Sequence, residues 1–227
     1  MDLTINKGEL VVLIGPSGCG KTTTLKMINR LIQPSSGKIL IDGVNIMDQD
    51  VISLRRNIGY VIQQTGLFPH MTVEENIQVV PKLKKMSPEE IKSRTLAMME
   101  MVGMDPEEFL YRYPIQLSGG QQQKAYIAMM LAQDTEIVFM DEPVTFLDIN
   151  YQLELMEIIK DMKKNGKTIV MIIHDLNLAM RYSDKIIAMK NGKTVCSGRP
   201  EEIYEKGIFD GIFGIRTHFS GDDGQFF

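Results

Sequence analysis

The stretch Leu10-Val11-Val12-Leu13-Ile14, followed at once by Gly15-Pro16-Ser17-Gly18-Cys19-Gly20-Lys21-Thr22, constrains this chain more than any other. An unbroken apolar run ending at a glycine is the pattern of a strand buried on both faces of a parallel sheet. The eight residues that follow fit G-x-x-x-x-G-K-[ST], and a helix is expected from about Lys21 to Leu31. Strand, glycine-rich loop and helix in that order make a cradle for phosphate. The glycines let backbone N–H groups turn inward, and the helix N-terminus adds its positive dipole end. Gly15 through Thr23 are therefore the candidate nucleotide-binding stretch, with Lys21 placed to reach the β- and γ-phosphates and the Thr22 hydroxyl placed to ligate Mg²⁺. Four specified positions arise by chance in roughly 1% of chains of this length, and the strand–loop–helix context lowers that figure.

The rest of the chain alternates strand and helix, which points to an α/β fold with a mostly parallel sheet. Lys38–Ile41 closed by Asp42-Gly43, Ile58–Ile62, Ile137–Met140 and Thr168–Ile173 read as strands, and Asn191-Gly192 reads as a two-residue hairpin turn between Lys185–Met189 and Lys193–Ser197. A helical stripe of Ile149, Leu153, Met156 and Ile159 stops near Asn165-Gly166. The middle differs. Ser87-Pro88-Glu89-Glu90 and Asp105-Pro106-Glu107-Glu108 are helix starts, and Ile91, Met98, Met99 and Val102 recur at helical spacing. No strong strand candidate falls between about Gln64 and Gln133. Residues 64–133 are thus expected to form an inserted helical subdomain, with 1–63 and 134–227 forming the α/β core of a single domain.

Charge and composition narrow the partners. A formal net charge of -4 argues against nucleic acid as the main partner. Cys19 and Cys196 lie far apart with no framework spacing, as expected of a reduced, intracellular protein. The longest apolar runs fall short of the ~18 residues a membrane helix needs, and MDLTINKGEL has no basic and apolar leader pattern. Any membrane role is expected to come through a partner. The methionines are read as core filling.

Asp141-Glu142 ends an apolar strand. An acidic residue there would sit at the sheet's carboxyl edge, where Asp141 can hold Mg²⁺ and Glu142 can polarise an attacking water. Alone, such a pair is more often a solvated loop start; beside a phosphate loop the functional reading gains. Leu117-Ser118-Gly119-Gly120-Gln121 opens a second helix with a serine cap and two glycines, either an ordinary helix start or a second anion-binding turn. A histidine after a buried strand, as at His174, is usually structural.

Taken together, LSGGQQQK ahead of VFMDEP resembles the signature and Walker B strand of ABC ATPases. Other matches follow in order. Gln63, counted back from Leu67-Phe68-Pro69, resembles the Q-loop glutamine; Thr145-Phe146-Leu147-Asp148 resembles the D-loop; His174 in VMIIHD resembles the switch histidine. The resemblance covers nearly the whole chain. It implies a RecA-like P-loop NTPase core and MgATP hydrolysis, with Glu142 as general base, and Gln63 and His174 sensing the γ-phosphate. Gln63 is also implied as a metal ligand beside Thr22 and Asp141. It further implies a head-to-tail homodimer in which ATP lies between the phosphate loop of one copy and Ser118, Gly119, Gly120 and Gln121 of the other, with Asp148 nearby. Membrane permease subunits would dock around Leu67, Phe68 and Pro69, at the cytoplasmic face of the membrane, and no nucleic acid is implied.

The match departs in places. The family resembled begins further upstream, with edge strands and an adenine-stacking aromatic; here the sequence starts at MDLTINKGEL, and the N-terminal edge strands are expected to be missing, either because the start is truncated or misassigned or because the domain works without that stack. Base stacking contributes ~1–3 kcal/mol, so a domain without that aromatic is expected to bind ATP more weakly while keeping the phosphate chemistry. Lys124, Phe146 and Asp134-Thr135 stand where arginine, a small residue and a proline are usual. The first two thirds resemble ATPase subunits of glycine betaine, choline or carnitine importers; HDLNLAMRYSDKIIAMKNGK and the closing IFGI resemble those of iron-chelate or cobalamin importers. The reading is an importer ATPase, most of all for a quaternary-amine osmoprotectant. The alternatives are an iron-chelate or cobalamin importer ATPase, a soluble ATPase acting on ribosomes or DNA, and a nucleotide-binding module with little turnover.

Overall fold

The computed structural model describes residues 3–63, 66–145, 147–214, 219–220 and 225–226; Phe146 and the Gln64–Thr65 part of the loop after Gln63 lie outside them. In chain order the elements are β1 (Leu10–Ile14), α1 (Lys21–Ile28), β2 (Leu40–Ile41), β3 (Val44–Asn45), α2 (Val51–Arg56), β4 (Ile58–Val61), α3 (Val73–Leu83), α4 (Pro88–Met101), α5 (Pro106–Phe109) and α6 (Gly119–Leu131). They continue as β5 (Ile137–Asp141), α7 (Ile149–Lys164), β6 (Thr168–Ile172), α8 (Leu176–Tyr182), β7 (Lys185–Lys190), β8 (Lys193–Gly198), α9 (Pro200–Glu205) and α10 (Ile208–Phe213).

Six strands form one sheet in the order β4-β5-β6-β1-β7-β8. All neighbours are parallel except the β7–β8 hairpin. Strand β1 lies inside, with Val12 opposite Met171 on one side and Ile186 on the other, and all five of its residues are buried. Side chains alternate between the two faces. Leu10, Val12, Ile14, Val138, Met140 and Met171 join the core under α6 and α7, while Val11, Leu13, Phe139 and Ile172 pack with Leu25 of α1 and Leu54 of α2. The result is a three-layer α/β arrangement. Because β1, β4, β5 and β6 run the same way, their carboxyl ends, and the residues that follow them, meet at one edge.

Between β4 and β5 the described residues form helices and turns only. Capping boxes at Thr72 and Ser87 start α3 and α4. Ile77, Met99 and Ile127 share one core with Val61 and Val138, so these helices are packed into the same hydrophobic interior as the sheet.

Two expectations are corrected. Helix α1 stops at Ile28 rather than Leu31, because Arg30 turns left-handed (φ 50°) and its guanidinium donates to the carbonyls of Ile46 (3.1 Å) and Gln49 (2.7 Å). In α7 the buried stripe is Leu155, Met156, Ile159 and Met162; Ile149 and Leu153 fall to one side of it and are exposed.

Candidate functional site

The phosphate loop is built by exclusion of side chains. An ideal Cβ on Gly15 would lie 2.2 Å from the carbonyl oxygen of Met189, so only glycine lets the loop leave β1 this close to β7. Gly18 (φ 75°) and Gly20 (φ 105°) hold left-handed conformations that L side chains avoid. The β7–β8 turn, with Asn191 at φ 52° and Gly192 at φ 74°, braces the loop from below: the Gly192 N–H donates to the Cys19 carbonyl at 2.9 Å. Cys19 itself is buried, and its sulfur lies 3.8 Å from Lys21 Nζ, so it shapes the loop from inside through side chain and backbone alike. Pro16 is half-buried, while Ser17, Gly18 and Thr23 are exposed on the open side. Lys21 is buried, and its Nζ donates to the carbonyls of Gly15 (2.7 Å) and Pro16 (3.1 Å). The ammonium thus sits inside the loop, beneath the backbone that would wrap a phosphate.

Next to it, the Thr22 hydroxyl donates to Asp141 Oδ1 at 3.0 Å. Asp141 is only 3% exposed. Burial pushes its carboxyl above the usual range, against the Thr22 hydrogen bond, with the Glu142 charge adding to the upward shift and Lys26 and Lys21 opposing it. A buried carboxylate whose charge is opposed by desolvation gains most from a cation, and a hydroxyl with one carboxylate is the donor set Mg²⁺ takes when phosphate oxygens and waters complete the shell. The residues present therefore fit MgATP.

Glu142 is the strained member. Its φ is 54°, left-handed for a residue with a Cβ, a conformation that carries about 1–3 kcal/mol of strain. Its N–H donates to the Ile172 carbonyl at 3.2 Å. Its carboxylate is held from three sides: Oε2 accepts from Gln63 Nε2 (2.8 Å) and Thr145 Oγ1 (3.3 Å), and Oε1 meets His174 Nε2 at 2.7 Å. Strand ends β4, β5 and β6 thus deliver Gln63, Glu142 and His174 to one point.

Ser118 and Gln121 form a reciprocal capping box at the start of α6: Gln121 N–H donates to Ser118 Oγ (3.3 Å), and Ser118 N–H to Gln121 Oε1 (2.9 Å). Ser118 and Gly119 are exposed, and an ideal Cβ on Gly119 meets no atom within 4 Å, whereas one on Gly120 would touch the Tyr151 ring at 3.0 Å. Among the described residues no hydrogen bond joins Ser118–Gln121 to Lys21, Thr22, Asp141 or Glu142. Asp148 caps α7, its Oδ1 accepting from the N–H groups of Asn150 (3.0 Å) and Tyr151 (3.1 Å). Leu67 packs onto the core, while Phe68 and Pro69 are exposed.

Sequence reasoning missed several residues that shape this site, Gln123 and Tyr126 on α6 and Asn76, and the bond from Thr145 of the D-loop match to Glu142. Asn76 could have been noticed as an amide within the apolar stripe of α3. It is fully buried; its Oδ1 accepts from Phe68 N–H (2.7 Å), and its Nδ2 donates to the carbonyls of Phe68 (3.2 Å), Met71 (3.1 Å) and Thr72 (2.9 Å). Together with the Met71 N–H donated to the Phe68 carbonyl (3.1 Å), it fixes the loop that presents Phe68 and Pro69. Asn76→Ala removes four hydrogen bonds that a fully buried amide makes to this loop and is expected to destabilise the fold by about 2 kcal/mol, read by urea denaturation.

Residues 1–145 match the family model described as ABC transporter. The chain is 52% identical over 204 residues to the glycine betaine/carnitine/choline transport ATP-binding protein OpuCA of Bacillus subtilis, a match covering 89% of this chain and 53% of that protein. It is 38% identical over 237 aligned positions to the petrobactin import ATP-binding protein FpuC of Bacillus anthracis, covering all of this chain and 85% of that one. The chain spans about half the length of the osmoprotectant relatives it matches. Its fold superposes on MJ0796, described as a bacterial ABC transporter cassette, with a TM-score of 0.79 at 37% identity over 87% of this chain and 88% of that one; that protein's structures are described as dimeric, one of them bound to ADP and Pi after hydrolysis. With the phosphate loop, the acidic strand end and the signature turn in order on one sheet edge and one helix, the chain belongs to the ABC transporter family.

Proposed function

We propose that the chain binds and hydrolyses MgATP as the ATPase subunit of an importer for a quaternary-amine osmoprotectant. The observation that carries this is the meeting, at one sheet edge, of Lys21 and the Thr22–Asp141 pair with the Gln63–Glu142–His174 cluster. The relatives named for glycine betaine, carnitine and choline transport, about half of this chain in identity, support the cargo class.

In this reading Gly15–Thr23 wrap the phosphates, Lys21 offsets their charge, and Thr22 and Asp141 hold Mg²⁺, with Gln63 beside them. Bound Mg²⁺ would supply charge neutralisation on the phosphate oxygens. Water attacks the γ-phosphorus, its proton passes to Glu142, and the bond to the β–γ bridging oxygen breaks to leave ADP. Gln63 and His174 orient the carboxylate and report the γ-phosphate. Two copies face head to tail, so that the exposed Ser118–Gln121 turn of one closes the site of the other. Residues 64–133 act as a subdomain that carries the signature turn and, through Leu67, Phe68 and Pro69, meets permease subunits at the cytoplasmic face. No described helix is long and apolar enough to cross a membrane.

Reconstitution with osmoprotectant permease subunits in vesicles tests the reading. ATP-dependent choline uptake is expected; a folded chain that neither binds nor hydrolyses MgATP overturns it. Asp141→Asn gives a second test. The folded protein holds the Asp141 carboxyl above its usual range because burial disfavours the charge. Metal-free protein therefore gains stability, relative to an ordinary carboxylate, as pH falls through that raised value. The asparagine keeps an acceptor for Thr22 and removes the buried charge, so nucleotide-free Tm is expected to hold or rise, while the Mg²⁺-dependent part of the ATP-induced Tm shift disappears. A retained Mg²⁺ effect would remove Asp141 from the metal site.

A further inference from the structure

Helix α6 carries more than the signature turn. Gln123 and Tyr126 sit three residues apart on one face of it, both buried. Gln123 Nε2 donates to the carbonyl of Pro143, the residue after Glu142, at 3.0 Å. The Tyr126 hydroxyl accepts from Ile62 N–H and donates to the Tyr60 carbonyl, each at 3.3 Å. Strand β4 is an edge of the sheet, paired only with β5. Backbone groups of residues two apart face the same side of a strand, so the phenol occupies the outer edge of β4 where a further strand would pair. Beyond Gln63, an ideal Cβ on Gly66 would lie 2.8 Å from the Tyr126 ring and hydroxyl. The segment carrying Gln63 is therefore pressed against Tyr126 before and after that glutamine. Burial raises the Tyr126 phenol further above neutral pH, so the donor is retained.

We propose that Tyr126, with Gln123, is a positioning residue that ties the signature helix to the Gln63 and Glu142 arms of its own subunit. Closure of Ser118–Gln121 on a second copy's nucleotide is thereby transmitted to this copy's hydrolytic residues, linking the two ATP sites. The inference rests on the head-to-tail dimer proposed above.

Tyr126→Phe in the 227-residue chain removes only the hydroxyl and keeps the ring against Gly66. Amide exchange over residues 60–66 is measured with and without MgATP, alongside the ATP dependence of hydrolysis. The pin predicts that exchange at Ile62 rises on the order of tenfold and that MgATP no longer protects the segment. It also predicts that kcat falls roughly fivefold or more with KM within about twofold, and that the ATP dependence loses steepness. Wild-type exchange and kinetics in folded Tyr126→Phe overturn it, as does a lowered Tm with kcat, KM and steepness unchanged, which is what a merely structural tyrosine gives. Wild-type protein that does not turn over ATP defeats the ATPase reading; the pin then stands or falls on the exchange comparison.

Discussion

Glu142→Gln is expected to slow MgATP hydrolysis about a thousandfold, ~4 kcal/mol of barrier, while nucleotide binding stays within about twofold of wild type. Both side chains are unbranched at Cβ, so the left-handed backbone at φ 54° is no more strained than before. It also keeps the packing. The glutamine oxygen can accept from Gln63 Nε2 and Thr145 Oγ1, the two donors now on Oε2. The amide nitrogen then faces His174 Nε2, which accepts in the neutral tautomer carrying its proton on the other ring nitrogen. What is lost is the ability to take a proton, a contribution of about 10²–10⁴ in rate for a positioned general base. Phosphate release under saturating ATP gives the rate, and titration with a fluorescent nucleotide gives the affinity. Hydrolysis within tenfold of wild type would assign the base elsewhere and leave Glu142 as an organiser of Gln63 and His174.

The parts of the site legible in the sequence are those written in local pattern. The Leu10–Ile14 run, the glycines at 15, 18 and 20, and the strand ending in Asp141-Glu142 each declare themselves within a few residues, and the parallel sheet needs only their apolar continuity. Tyr126 contacts residues more than sixty positions away, and Gln123 reaches Pro143 across twenty; no periodicity encodes such pairs. The exposed face of α7 was misread because Ile149 and Leu153 fit a helical spacing almost as well as the buried Leu155, Ile159 and Met162 do. Arg30 ended α1 early through bonds to carbonyls beyond residue 45, again a distant cause. Glu142 gave a faint signal: Pro143 after it disfavours the ordinary helical region, but nothing in the sequence specified the left-handed alternative.

Lys21→Ala is expected to weaken MgATP binding by at least a hundredfold. A buried ammonium hydrogen-bonded to phosphate contributes more than a neutral donor, roughly 1.5–3 kcal/mol per charge-assisted bond. Lys21 Nζ donates to the carbonyls of Gly15 and Pro16, at 2.7 and 3.1 Å. The alanine leaves the buried Gly15 carbonyl without its side-chain donor, while the Pro16 carbonyl keeps the Cys19 N–H at 3.2 Å, so the fold is expected to survive with a loss of Tm. Lys21→Arg should do no better. Gly15 packs against the Met189 carbonyl with no room for even a Cβ, and the Cys19 sulfur closes the same corner, so a planar guanidinium cannot be seated without moving β7. The two variants separate charge from shape. If shape is the constraint, arginine loses binding as alanine does, despite keeping the positive charge. If Lys21→Ala in a folded chain binds MgATP within tenfold of wild type, the Gly15–Thr23 loop is a brace between β1 and β7 and the phosphate must be held elsewhere.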